Sequence, residues 1–236
     1  MDETKAWLTH LQKHKGLGAS LMAKMSVGVG LRADEIIHFR EEQLPPLPTD
    51  GRKEVKMTVC YGTKGQRSPQ DLSKRGKERS VLISTDLLIE LHLFRDTTRK
   101  LTIRRVSQRL NDWEPPEELF FSGKTGRAFS YKRFYEIWKC GPIPFAAFSP
   151  HIGRHMWACY TLITKMAEDF EIITKLKGPS HAAVDQLIAN MIRIWITPQL
   201  GHVDEKTTLM YILWVREVPD LVSFQDQWWD YLNEPL

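Results

Sequence analysis

Cysteine is scarce and scattered. Cys60, Cys140 and Cys159 are the whole complement of the 236 residues. An odd number with no CxxC pair excludes a disulfide framework and a zinc cluster of the usual spacing, and favours a reduced, cytoplasmic protein. Long apolar runs are also missing. No stretch is long enough to span a bilayer, and the opening Met-Asp-Glu-Thr-Lys-Ala-Trp-Leu lacks the basic-then-apolar order of a secretion signal, so no membrane is expected. No carboxylate cluster with metal-ligand spacing stands out. No metal or other cofactor is therefore expected, and a metal-dependent nuclease is disfavoured. Internal repeats, low-complexity tracts and linker-like stretches are absent, which argues against a second domain boundary. The charge excess is small, a formal +4. It is compatible with nucleic acid and carries little weight alone.

What is present reads as mainly α with one small antiparallel β-sheet in the first half. Residues 2–15 pattern as an amphipathic helix with Trp7, Leu8 and Leu11 on one side. Residues 18–27 suit a buried helix, broken by Gly28-Val29-Gly30. A helix then starts at Leu31, with Arg32 and Glu35 spaced to share a face. Glu54–Tyr61 and Glu78–Ser84 alternate like strands and make a long-looped hairpin, its tip crowded by Lys64, Arg67, Lys74, Arg75 and Lys77. Such a tip is either a solvated loop or a finger laid against phosphates. Thr85 is placed to cap a helix over 86–98. Leu119–Gly126 reads as a strand-like segment into a turn, and Tyr131–Lys139 as a helix with a basic, aromatic face. Helices are expected over 152–167, 181–196 and from Thr207 to about Val215, with a last one ending in Trp228-Trp229-Asp230-Tyr231-Leu232.

The stretch from Ser149 to Tyr211 carries the chemistry. It opens with Ser149-Pro150-His151-Ile152-Gly153-Arg154-His155 and closes with Leu200-Gly201-His202 and, nine residues on, Tyr211. An arginine grips an anionic phosphate bidentately with a fixed charge. A histidine donates a hydrogen bond or moves a proton near neutral pH. A tyrosine hydroxyl can attack phosphorus and hold it covalently.

Four motifs in order resemble the tyrosine recombinases, the phage-integrase family. Gly30-Leu31-Arg32-Ala33-Asp34-Glu35 resembles its first arginine motif. His151-Ile152-Gly153-Arg154-His155 resembles its His-x-x-Arg-His box. Leu200-Gly201-His202 with Thr207-Thr208 and Tyr211 resembles its ending, and Leu119-Phe120 with the following turn its middle segment. The resemblance covers residues from about 18 to 215. It implies a tyrosine recombinase catalytic domain over 1–215 and a C-terminal helical tail over 216–236, packed on its own domain or on a neighbour's. It also implies the chemistry. Tyr211 attacks a DNA phosphate in line, leaving a 3′-phosphotyrosine and a free 5′-hydroxyl, with no metal or ATP. Arg32 and Arg154 hold the non-bridging oxygens. His151 assists proton transfer and His202 hydrogen-bonds the phosphate. Glu35 and His155 orient the others, and a hairpin lysine protonates the leaving oxygen. Lys64 is preferred because it directly follows the first strand; Lys74 is the alternative. Arg67, Arg75 and Lys77 are the expected DNA contacts.

The partners so implied are double-stranded DNA and further copies of the chain, a tetramer on two duplexes, with the protein cytoplasmic and nucleoid-associated when bound. Two departures qualify the match. Arg154 to His202 spans 48 residues, longer than usual for the family, and the extra material is expected around Asp169–His181 as an added helix or loop. Arg32 comes near the start, so the family's N-terminal DNA-binding domain is expected to be absent, or supplied by a longer chain or an accessory partner. The competing readings are a type IB topoisomerase, with the same chemistry, and a non-catalytic DNA-binding protein that keeps the fold.

Overall fold

The structure, a computed structural model, describes residues 2–63, 75–175, 186 and 188–201, with the backbone alone for 166–175. Lys64, Arg67, Lys74, His202, Tyr211 and the expected helices beyond 202 lie outside the described residues.

Helix α1 (Asp2–Lys15) packs on α2 (Leu17–Val29). Trp7 and Leu11 are fully buried and Leu8 nearly so, as their spacing predicts. Gly28 stays helical; Gly30 ends α2 alone, in a left-handed turn (φ 73°). The expected helix from Leu31 is the single short turn α3 (Ala33–Ile37), with Arg32 at its N-cap. Strands β1 (Glu54–Val59) and β2 (Arg79–Ser84) pair antiparallel, with Glu54 opposite Ser84 and Val59 opposite Arg79.

The next helix differs from expectation at both ends. Ser84, not Thr85, is its cap: the Ser84 hydroxyl accepts from the Leu87 amide. The helix does not stop near residue 98. It runs as α4 (Thr85–Phe94), a wide turn at Arg95–Arg99, and α5 (Lys100–Ser107). Basic residues after 98 do not end a helix, and no glycine or proline intervenes before Pro115. The wide turn coincides with Arg99 pointing inward, where its guanidinium donates to the carbonyls of Pro116 (2.8 Å), Leu119 (3.2 Å) and Glu118 (3.2 Å).

Helix α6 (Tyr131–Trp138) buries Phe134, Ile137 and Trp138. Trp138 joins Trp7 and Phe148 in an aromatic cluster with ring centroids 4.6–5.0 Å apart. Both indole N–H groups are satisfied: Trp7 donates to the Trp138 carbonyl at 3.0 Å and Trp138 to the Phe148 carbonyl at 3.2 Å. This cluster lies under the start of α7 (Pro150–Lys175). Ser149 accepts from the Ile152 amide and Pro150 occupies the first turn, a regular helix start. Ser26 on α2 donates to the Pro150 carbonyl at 3.0 Å. The N-terminus of α7 is thus pinned to the core.

Helix α7 continues to Lys175, two turns beyond the expected end, so part of the extra material between Arg154 and His202 extends this helix. Residues 188–191, a wide turn at Ile192–Ile196 and the short helix α8 (Thr197–Leu200) pack back on it. Two apolar clusters result. One joins α1 to α6 and the sheet. The other joins Trp157, Leu162 and Ile163 of α7 to Ile188, Met191, Ile192, Ile196 and Leu200.

Candidate active site

Arg154 sits where the two apolar clusters meet, and Glu35 lies there with it. Glu35 is completely buried. A buried carboxylate costs several kcal/mol in lost hydration unless each oxygen is bonded. Here Oε1 accepts from Arg32 Nη1 (2.9 Å) and Arg79 Nε (3.2 Å). Oε2 accepts from the Arg32 amide (2.7 Å) and Arg79 Nη2 (2.5 Å). Four bonds fill the carboxylate's lone-pair sites. Arg154 Nη1 stands 3.8 Å from Oε2 and adds charge rather than a hydrogen bond.

The same guanidiniums also hold main-chain carbonyls. Arg32 Nη2 donates to Leu200 (2.9 Å) and Gly201 (2.8 Å). Arg154 donates to Gly30 at 2.6 Å and to Leu200, and Arg79 Nη1 to Gln199. Arg32, Glu35 and Arg154, all expected site residues, therefore meet around the residues immediately before His202. Three guanidiniums against one carboxylate leave two positive charges in a largely closed pocket.

Glycines permit the close approach. A Cβ on Gly30 (φ 73°) would lie 2.6 Å from the Trp157 ring. One on Gly62 (φ 66°) would lie 2.3 Å from the Asp34 carbonyl oxygen. The chain leaving β1 thus passes backbone-to-backbone beside α3, two residues before Lys64.

His151 and His155, one turn apart on α7, face each other edge-on with Nε2 atoms 2.8 Å apart. That distance requires one nitrogen to carry a proton and the other to accept it. Burial pushes His155 down to about 4, and the neighbouring His151 and Arg154 charges push the same way. His155 is therefore neutral near pH 7, while His151 is exposed. Arg75 and Lys77 are exposed at the far end of the hairpin, with Arg75 paired to Glu78 at 2.7 Å.

Two residues of this site escaped the motif reading. Arg79 has a signal in the sequence: it shares the inward face of β2 with Val81 and Ile83. Gln199 has none. Its amide donates to the Val29 (3.1 Å) and Leu82 (3.0 Å) carbonyls and accepts from the Leu82 amide (2.9 Å). No three histidine, cysteine or carboxylate side chains among the described residues gather as a metal site. No described helix is long and apolar enough to cross a membrane.

No protein-family model and no curated protein sequence matches the chain. Solved structures do. The XerH site-specific recombinase, bound to a palindromic difH substrate in a post-cleavage complex, aligns with a TM-score of 0.50 at 17% identity over 97% of this chain. XerA recombinase aligns over the full length with a TM-score of 0.49 at 15% identity. The chain spans 51% of the XerH chain and 64% of the XerA chain. The mainly helical architecture with its single two-stranded antiparallel sheet is thus a tyrosine recombinase catalytic-domain-like fold.

Proposed function

We propose that the chain is the catalytic domain of a tyrosine-type site-specific recombinase that cuts and rejoins double-stranded DNA through a 3′-phosphotyrosine. One observation carries this reading. Arg32 and Arg154, 122 residues apart in sequence, converge on the buried Glu35 and on the carbonyls that lead into His202.

In this reading Arg32 and Arg154 bind the non-bridging oxygens of one phosphate and stabilise its charge in the transition state. Two surplus positive charges suit one phosphodiester passing to a dianion-like transition state. Glu35 fixes the arginines. Tyr211 is the nucleophile, and the leaving 5′-oxygen takes a proton from Lys64, two positions along the sequence from Gly62; Lys74 is the alternative donor. His155, held neutral, accepts from or donates to His151 and so sets the tautomer with which His151 moves a proton. His202 hydrogen-bonds the phosphate. Residues 1–215 form the catalytic unit and 216–236 the tail. The DNA partner is a duplex contacted through Arg67, Arg75 and Lys77, and the working assembly is a tetramer on two duplexes.

The test is a covalent-trapping assay on a nicked duplex bearing the element's end sequence. A protein–DNA adduct on a denaturing gel is expected from the wild type and lost in Tyr211→Phe. Lys64→Ala is expected to abolish it where Lys74→Ala does not. Absence of an adduct on every nicked duplex that the protein binds would sink the enzyme reading in favour of a non-catalytic DNA-binding protein.

A further inference from the structure

We propose that Arg79 is a positioning residue of this site, a clamp that sets Arg32 and the chain entering His202 in register without touching the phosphate. This rests on the recombinase reading.

The argument begins with the Glu35 carboxylate. Arg79 is its bidentate partner, through Nε at 3.2 Å and Nη2 at 2.5 Å. Such fork geometry fixes orientation as well as distance. Arg79 Nη1 is directed to the Gln199 carbonyl. All three nitrogens are therefore committed to protein acceptors. Its side chain is 11% exposed, between Arg154 at 6% and Arg32 at 20%, so the fork is what sets it apart: the Arg32 guanidinium meets Glu35 through Nη1 alone and Arg154 stands 3.8 Å off. The Arg79 stem lies along Gly201, where a Cβ would sit 3.0 Å from Cδ. Arg79 thus joins β2, α3 and the end of α8 at one point.

Removing that point has a specific consequence. Glu35 would keep Arg32 as its chief partner and turn its guanidinium out of register while leaving it within reach of the phosphate. The Gln199–Gly201 segment would keep the Gln199 amide bonds, the carbonyl bonds to Arg32 and Arg154 and the packing of Leu200, but lose the one side chain that ties it to the Glu35 carboxylate from β2. The reacting groups would lie a fraction of an ångström to an ångström out of place, and misplacement on that scale costs on the order of a hundredfold in rate. Affinity for DNA, set by contacts to phosphates, would hardly change.

The experiment uses the full chain with Arg79→Met and Arg79→Lys. Three quantities are read: the rate of adduct formation at saturating nicked duplex, the Kd, and the salt dependence of the Kd. For Arg79→Met the expected result is a rate loss of about 100-fold with Kd within about twofold and an unchanged salt slope. Arg79→Lys, able to meet Glu35 or the Gln199 carbonyl but not to fork the carboxylate, should recover part of the rate. Hydrogen exchange of the amides at 197–201 should speed up in Arg79→Met, with α1 unaltered. A Kd weakened tenfold or more with a shallower salt slope would make Arg79 a phosphate contact and overturn the proposal. So would a rate close to wild type, or a loss that follows the melting temperature and is not relieved by lysine. If the wild type forms no adduct on any nicked duplex, the recombinase reading falls; exchange at 197–201 then decides the clamp, and unchanged protection in Arg79→Met overturns it.

Discussion

At the scale of single residues, charge without water decides most of what this site does. Glu35 is buried at a point where three guanidiniums meet. Its neutral isostere would leave two donors of the wrong polarity facing its amide and three cations without their counter-charge. Glu35→Gln is therefore expected to lower unfolding free energy by about 3–5 kcal/mol, measured by urea titration against the exposed Glu54→Gln as control. The histidine pair gives a pH prediction. The folded chain holds His155 down to about 4, below its ordinary 6.5. Between those values the unfolded chain takes up a proton that the folded chain refuses, so stability falls as pH drops from about 6.5 towards 4 and is unaffected by this group above that window. His155→Gln should flatten that part of a melting-temperature profile; a slope identical to wild type would refute the assignment. Thiol reactivity follows burial in the same way. Burial pushes the Cys159 thiol up to about 12 and raises that of Cys60, while Cys140 is half-buried. Alkylation of the native protein should modify Cys140 first, with Cys60 and Cys159 modified only on unfolding.

At the scale of elements, two small devices hold the site together, and neither is visible in periodicity. Strand β2 has β1 on one side, which leaves backbone donors and acceptors on the other. Gln199 takes that edge: its side-chain amide exchanges two hydrogen bonds with Leu82, as a third strand would. The sheet thereby fixes α8, and α8 ends at Gly201. The other device is the contact of Gly62 with Asp34. Comparing two left-handed glycines isolates it. Gly51 (φ 75°) has open space around its missing Cβ, so Gly51→Ala carries only the backbone penalty of about 1–2 kcal/mol. Gly62→Ala carries that penalty and also drives a methyl into backbone atoms 2.3–2.7 Å away. It is expected to destabilise by clearly more than Gly51→Ala in thermal melts and to displace α3, with Arg32, from its place. Equal melting temperatures would mean the loop yields instead. Element existence was legible from apolar spacing and turn residues, as in α1, α2, α6 and both strands. Element ends were not. Ser84 and Thr85 can both cap by type, and the position of the Leu87 amide selects Ser84.

At the scale of the whole molecule, the chain brings residues from its beginning, its hairpin and helix α7 to one carboxylate. Arg32, Glu35 and Arg154 were legible because each lies in a short motif whose order along the chain is informative. Arg79 was not: it looks like one more cation in a run from Lys74 to Arg79, and only its place as the first residue of β2, past the loop that carries the exposed Arg75 and Lys77, separates it from them. That difference sorts the basic residues of the hairpin into two jobs, which salt can distinguish. A cation that contacts a DNA phosphate releases counter-ions, and its loss reduces the slope of log Kd against log salt by about 0.9. A cation that forks Glu35 and touches no phosphate, as proposed for Arg79, releases none. Lys77→Ala, at an exposed position, is therefore expected to lower the slope by about that amount and weaken binding of every duplex alike. Arg75→Ala should do less, since its charge is already shared with Glu78 at 2.7 Å. Arg79→Met should leave the slope where it was. Fluorescence-anisotropy titrations at three or four salt concentrations check all three variants. An unchanged slope in Lys77→Ala would take the hairpin off the DNA, and a reduced slope in Arg79→Met would move Arg79 from the clamp to the phosphate.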